Sequence, residues 1–332
     1  MRLGLNVGYS RSSLGIDLAL VQHAERLGFH SVWSAEAYGS DAVTPLCWIA
    51  ARTEKIRVGT AIMQIPARTP TLTATTALTI DQLSGGRFIL GLGVSGPQVV
   101  EGWYGQPFPR PMARTREFVT LLRQMLRREG PLTFDGAHYQ LPLRGGSNLG
   151  KPLKLIVRPL RADVPIYLGA EGPKNVALAA EIGDGWLPLF FSPFRSDIYA
   201  ESLAKKKPGF EIACTVTVVV HDDLEQALLP VKWALAFYIG GMGAAKKNFH
   251  LNLIERLGFG EQAKKVQKLF LEGKRPEAVD AVPSELADEI SLAGPPARIK
   301  ERMQVWKKSP VTTILAGTRD PVALRVLAEA AA

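Results

Sequence analysis

The chain is poor in cysteine, histidine and long apolar runs, and each shortage removes a class of function. Two cysteines, Cys47 and Cys214, occur in 332 residues. Neither belongs to a C-x-x-C pair and neither has histidines at ligand spacing, which excludes a disulfide framework and a zinc site, so no metal is expected. Cys214 lies within the apolar run IACTVTVVV and reads as a small core residue. The five histidines, His23, His30, His138, His221 and His250, show no metal-pair spacing and no obvious Ser or Cys nucleophile beside them. There is no P-loop, G-x-S-x-G or H-E-x-x-H motif, and no repeat of 20–50 residues. No stretch approaches the roughly 18 apolar residues that cross a bilayer. The opening MRLGLNVGYS runs directly into a strand pattern without the basic and apolar regions of a secretion signal, so a cytoplasmic protein with no membrane partner is expected.

What is present is ordinary globular material, with 46% hydrophobic and 8% aromatic residues, enough for a large core. The formal net charge of +9 favours acidic partners. Helix-turn-helix, RNP and zinc-finger signatures are missing, so nucleic acid is not expected. The basic residues are scattered apart from Lys205-Lys206-Lys207 and Lys246-Lys247. This is compatible with a solvated surface or a polyanionic coenzyme.

Short apolar runs alternate with amphipathic stretches. Strand-like segments fall at 2–7, 31–35, 56–61, 87–92, 165–169, 185–189, 211–220 and 311–316. Between them, Leu18, Val21, Ala24 and Leu27 recur at helical spacing. A short helix opens at Thr44-Pro45, and a longer one has Thr69 as N-cap, Pro70 in its first turn and a Gly-Gly stop. Further helices are expected at 113–130 and 172–185, and a long helical stretch at about 222–290. Strands alternating with helices predict a parallel sheet with crossover helices. Eight strands would close a (β/α)8 TIM barrel; a doubly wound open sheet is the alternative. On the barrel reading one domain spans 1–332, with insertions at about 97–163 and 222–290 after the fourth and seventh strands. Both insertions leave from the strand ends where barrel active sites form. His138 and His250 lie in or near them, whereas His23, His30 and His221 read as structural.

Three loops after strands carry candidate chemistry. Gly91-Leu92-Gly93-Val94-Ser95-Gly96 matches G-x-G-x-x-G, but Pro97, Gly102 and Gly105 follow in place of the long helix a dinucleotide fingerprint needs. It is a barrel-mouth loop where backbone approaches a ring or phosphate, or simply a tight turn. Gly169-Ala170-Glu171-Gly172-Pro173-Lys174-Asn175 joins a strand to a helix with Pro173 in its first turn, an anion site or an ordinary turn. Ser34-Ala35-Glu36-Ala37-Tyr38 places an acid past the second strand, either lining a site or capping a helix. Asp184 precedes the sixth strand, at the barrel bottom, and reads as structural.

Taken together, the stretches QLSGGRFILGLGVSGPQVVEGWYGQPFPRPMARTREFV, HYQLPLRGGSNLGKPLKLI and VPIYLGAEGPKNVALAAEIGDGWLPLFFSP, in that order, resemble the luciferase-like monooxygenase superfamily. More narrowly they resemble its F420-dependent oxidoreductases, such as methylenetetrahydromethanopterin reductase-like proteins. The resemblance spans roughly residues 1–250 and the last strand and helix. It implies an insertion-bearing barrel, commonly a homodimer, with the deazaflavin coenzyme F420 in a cleft at the C-terminal strand ends. It implies a non-proline cis peptide, here Ala61-Ile62, forming a bulge behind the tricyclic ring. Gln64, Glu36 and Tyr38 would lie near the ring, with Glu36 and Tyr38 as catalytic candidates. Gly93, Ser95 and Gly96 would meet the coenzyme on one side and Gly169, Ala170, Glu171, Gly172 and Pro173 on the other. Sugar-phosphate-oxidising relatives carry a His beside the acid after the second strand and a Glu after the fourth; here those places hold Ala37 and Val94. That leaves no evident general base for alcohol oxidation and favours hydride transfer to an activated C=C or C=N of a small organic substrate. An FMN-dependent monooxygenase and a non-catalytic flavin-binding protein are the alternatives the same barrel accommodates. The insertions, with Trp103, Tyr104 and FYIGGMGAAKKNFH, would cap the substrate pocket, or would pack against the barrel or a partner subunit.

Overall fold

In the computed structural model, which describes residues 1–8, 15–243 and 248–332, eight strands close on themselves. They are β1 (Arg2–Gly8), β2 (Ser31–Ser34), β3 (Arg57–Thr60), β4 (Phe88–Gly93), β5 (Ile166–Gly169), β6 (Gly185–Leu187), β7 (Glu211–Val220) and β8 (Thr313–Gly317). Every pairing around the ring is parallel. β7 closes it, with Ile212 beside Trp186 of β6 and Ala213–Thr217 in register with Thr313–Gly317 of β8. This is the expected (β/α)8 barrel; closure through β6 and β7 overturns the open sheet.

The strands read as near-continuous apolar runs because both of their faces are covered. Outward residues such as Val32, Leu90, Ile166 and Cys214 pack under the helices in the large core. Inward residues form a second, smaller cluster of Trp33, Ile89, Tyr167, Leu187, Ala213 and Leu315, each from a different strand. Trp33 dominates it. A Cβ at Gly59 would lie 2.5 Å from the Trp33 ring, and one at Gly4 would lie 3.1 Å from its Nε1. Gly59 therefore makes the room the indole occupies, and at Gly4 Leu315 Cδ2 and Ser31 Oγ would be closer still, at 2.8 and 2.9 Å. The indole N–H donates to Ser31 Oγ at 2.8 Å, and Tyr167 lies against the indole at 5.8 Å between ring centroids.

The outer helices begin with α1 (Leu18–Arg26), α2 (Val43–Ala50) and α3 (Pro70–Leu83). Thr69 caps α3 as expected, accepting from the Leu72 N–H. α2 differs from expectation: it starts a residue before Thr44, and the Asp41 carboxylate takes the Val43 and Thr44 N–H groups. The segment after β4 holds the six-residue α4 (Pro97–Gly102), α5 (Pro111–Arg127) and a small hairpin pairing Phe134–Asp135 with Gln140–Leu141. α6 (Pro173–Ile182) follows β5, and Asp184 accepts from Arg123 and the Ile166 N–H, each at 2.9 Å, the structural role expected of it. The short α7 (Ala200–Leu203) follows β6.

After β7 the expected helical stretch is several helices: α8 (Leu224–Gly241), α9 (Phe249–Arg256), α10 (Gly260–Leu271), α11 (Arg275–Asp280) and α12 (Ser284–Glu289). Gly258 and Gly273, both at positive φ, and Pro283 separate the later ones. A further strand, Ser291–Gly294, goes beyond the expected eight. It pairs with Thr217–Val220 on the edge of β7 that β6 occupies lower down. α13 (Pro296–Lys308) and α14 (Pro321–Ala331) complete the ring. Lys246, Lys247 and the middle of FYIGGMGAAKKNFH lie outside the described residues. Among the described residues no helix is long and apolar enough to cross a membrane, and no cluster of metal-ligating side chains occurs.

Candidate active site

The candidate residues gather where the C-terminal ends of β2 to β5 meet. β3 stops at Thr60, the Ala61–Ile62 peptide bond is cis, and Met63–Gln64 resumes pairing along the end of β4. The Ile62 side chain stands against two glycines. A Cβ at Gly93 would lie 2.8 Å from Ile62 Cδ1, and one at Gly169 would lie 3.1 Å from Ile62 Cγ2. The bulge thus projects a branched aliphatic side chain over the ends of β4 and β5. Gly93 and Gly169 are glycine because that side chain occupies their Cβ space.

Glu36 is buried beside this bulge. Its carboxylate pairs with both terminal nitrogens of Arg68 and accepts the Gln64 N–H at 2.8 Å and the Ala42 N–H at 3.1 Å. Its own N–H donates to Ile62 O at 3.3 Å. Both carboxylate oxygens are therefore engaged, in a clamp that ties the loop after β2 to the bulge after β3. It does not cap α2. Arg68 escapes a reading of the sequence; it lies 32 residues from its partner, with no spacing to betray it. Gln64 is buried as well, its amide N–H donating to Glu36 O at 3.1 Å while its Oε1 has no partner. Tyr38 is half exposed, with its hydroxyl 3.9 Å from Met242 Sδ at the end of α8.

Ser95 takes up a left-handed backbone (φ 59°), and Gly96 accepts from Val99 and Val100 as α4 begins. In the same segment Tyr104 donates to Ala37 O at 3.1 Å, so the insertion after β4 is fastened to the loop after β2, while Trp103 stays exposed. On the other side, Gly172 is the N-cap of α6 without a side-chain cap, and Ala170 O accepts from Trp186 Nε1 at 2.8 Å. Glu171 O accepts from Arg256 at 2.6 Å. The Glu171 carboxylate lies 2.8 Å from His250 Nδ1, within ion-pair range but off the line of a hydrogen bond, and its other oxygen is buried without a partner. The structure thus brings Glu36, Gln64, Ile62, Gly93 and Gly169 into contact in sequence, with Tyr38, Ser95–Gly96 and Gly169–Pro173 around them.

Comparison with known proteins identifies the family. Residues 5–313 match the model of the luciferase-like monooxygenase family. The chain belongs to that family. Among its relatives, the Mycobacterium tuberculosis protein named "Putative coenzyme F420-dependent oxidoreductase Rv3520c" is 50% identical, over 97% of each chain. The 5,10-methylenetetrahydromethanopterin reductase of Archaeoglobus fulgidus is 28% identical over 90% of this chain and 88% of its own. The solved coenzyme F420-dependent tetrahydromethanopterin reductase of Methanopyrus kandleri superposes with a TM-score of 0.80 at 22% identity, covering 99% of this chain and 97% of that one. For a luciferase-like barrel, the mouth described above is where its loops would shape a ligand site.

Proposed function

We propose that the protein is an F420-dependent oxidoreductase that transfers a hydride to an activated C=C or C=N bond of a small organic acceptor. One observation carries the placement of the coenzyme: Ile62, on a cis peptide, stands on Gly93 and Gly169 as an apolar backstop at the barrel mouth. A flat tricyclic ring fits against such a side chain. The unpartnered Gln64 Oε1 beside it matches a ring N–H donor, since a buried acceptor without a partner is costly. The uncapped start of α6 and Lys174 suit the anionic tail, with Ser95 and Gly96 opposite. The half-identical relative named for F420 favours the deazaflavin over FMN.

When bound, the reduced coenzyme supplies two electrons as a hydride and activates oxygen poorly, which separates this reading from a monooxygenase. The residues of this chain bind and orient. Glu36, held by Arg68 and two backbone N–H groups, fixes the bulge that seats the ring; we assign it a positioning role. Tyr38 and Tyr104 line and fasten the cleft, and the two insertions exclude water from it. A homodimer, inferred from the family, completes the proposal, and size-exclusion chromatography with light scattering checks it.

The direct test is a tryptophan-fluorescence titration of the purified protein with F420 and separately with FMN at fixed salt. F420 is expected to bind at least about tenfold more tightly, a difference of about 1.4 kcal/mol. Tighter FMN binding moves the protein to the monooxygenase reading, and binding of neither removes the coenzyme assignment.

A further inference from the structure

The reductase reading leaves the proton unaccounted for. A hydride added to one end of a double bond requires a proton at the other. The position beside the acid after the second strand holds Ala37, and the Glu36 carboxylate is fully engaged. A second carboxylate stands at the same mouth. Glu171 lies two residues beyond β5, and His250, in the first turn of α9, lies against it. The imidazole is held in place by ring edges, Tyr238 at 4.8 Å and Phe190 at 6.3 Å between centroids. Phe190 follows β6 closely, which fixes the histidine at the C-terminal face of the barrel. One imidazole nitrogen, Nδ1, is buried against Glu171, and Nε2 lies across the ring from it. The segment after β7 thus reaches the mouth twice, through Met242 at the loop after β2 and through His250 at the loop after β5, with the Ile62 platform between those loops.

We propose that His250, oriented by Glu171, is the proton donor of this active site; the assignment rests on the reductase reading. The carboxylate 2.8 Å from Nδ1 and the ring edges of Tyr238 and Phe190 fix the orientation of the imidazole. As one end of the acceptor's double bond takes the hydride of the reduced deazaflavin, the other takes the proton from Nε2. The N–H bond breaks and an X–H bond forms. The acceptor gains two electrons and two hydrogens, the coenzyme is oxidised, and solvent reprotonates the imidazole. Among the described residues, the other charged or titratable groups beside the pair include Arg256 on α9, which donates to Glu171 O, Tyr238 on α8, and Tyr199 before α7.

The experiment uses full-length protein with 15N-labelled histidine, wild type beside His250→Gln and Glu171→Gln. The His250 imidazole signals, identified by their loss in H250Q, are followed against pH and on addition of F420. The proposal expects them to shift when F420 binds, and expects E171Q to alter that shift. With reduced F420 and a panel of activated alkenes and imines led by 2-cyclohexen-1-one, H250Q turnover at pH 7 should fall roughly 100-fold, with E171Q intermediate. Coenzyme affinity of H250Q should stay within about threefold, so that its loss sits in kcat. The limb of the wild-type pH profile assigned to His250 should vanish in H250Q. F420 bound with His250 signals unmoved overturns the proposal, as does an H250Q loss below about tenfold. If H250Q does not fold, E171Q, close to isosteric, decides the matter: a kcat equal to the wild type's in that variant overturns the assignment. Failure of F420 to bind, or no turnover of any acceptor by the wild type, overturns the reductase reading and this assignment with it.

Discussion

Two glutamates stand at the mouth of one barrel, each two residues past a strand end, and their surroundings differ completely. Glu36 has both oxygens taken by Arg68 and by the N–H groups of Ala42 and Gln64. Glu171 has one oxygen beside a histidine in poor hydrogen-bond alignment and the other buried with no partner. The first arrangement uses its charge to hold backbone; the second keeps charge in reserve beside a titratable ring. A carboxylate's position past a strand therefore says that it can reach a ligand, and its hydrogen bonds say whether it is free to. Ile62 joins the two regions, accepting from the Glu36 N–H with its carbonyl and meeting Gly169 with its side chain.

The contrast can be broken most forcefully at Glu36. Replacing it with Ala strands Arg68 and two backbone donors, and should cost about 3–5 kcal/mol in urea denaturation. A loss under about 1 kcal/mol would show that the clamp is a surface-type pair. Gly93→Ala comes next, because its Cβ would meet Ile62 at 2.8 Å. Overpacking of about 1–3 kcal/mol is expected, together with coenzyme binding weakened about tenfold in the fluorescence titration. If binding is untouched, Ile62 is not the backstop. Glu171→Gln should move stability by less than about 1 kcal/mol, since one of its carboxylate oxygens makes no bond; a loss as large as that of E36A would erase the distinction between the two glutamates. Smallest is Tyr38→Phe, whose hydroxyl makes a long contact to Met242 Sδ, with an expected change in melting stability within about 0.5 kcal/mol.

The barrel was legible in the sequence because its strands are apolar runs of both-sides-buried character, separated by helices with clear caps and stops. The strand Ser291–Gly294 was not: four residues wedged between α12 and the prolines that open α13 offer no period to read. The hairpin around Phe134–Leu141 was hidden for the same reason, with two residues per strand. Ala61–Ile62 contains no proline, so nothing local announces a cis bond; its place came from family resemblance. The clamp on Glu36 and the pairing of Glu171 with His250 link residues 32 and 79 positions apart, and only the closed sheet brings them together.

The indole of Trp33 and the missing side chains of Gly59 and Gly4 have a historical consequence. They are coupled choices: the ring fills the space of a Cβ at Gly59, and a Cβ at Gly4 would press on Leu315, on Ser31 and on the indole nitrogen. A descendant of this chain cannot enlarge residue 59 while keeping the tryptophan, nor trim the tryptophan without opening a void in the barrel's centre. Such a triad should drift as a unit or not at all. The floor beneath the mouth is thereby kept constant while the loops above it remain free to diverge toward new acceptors.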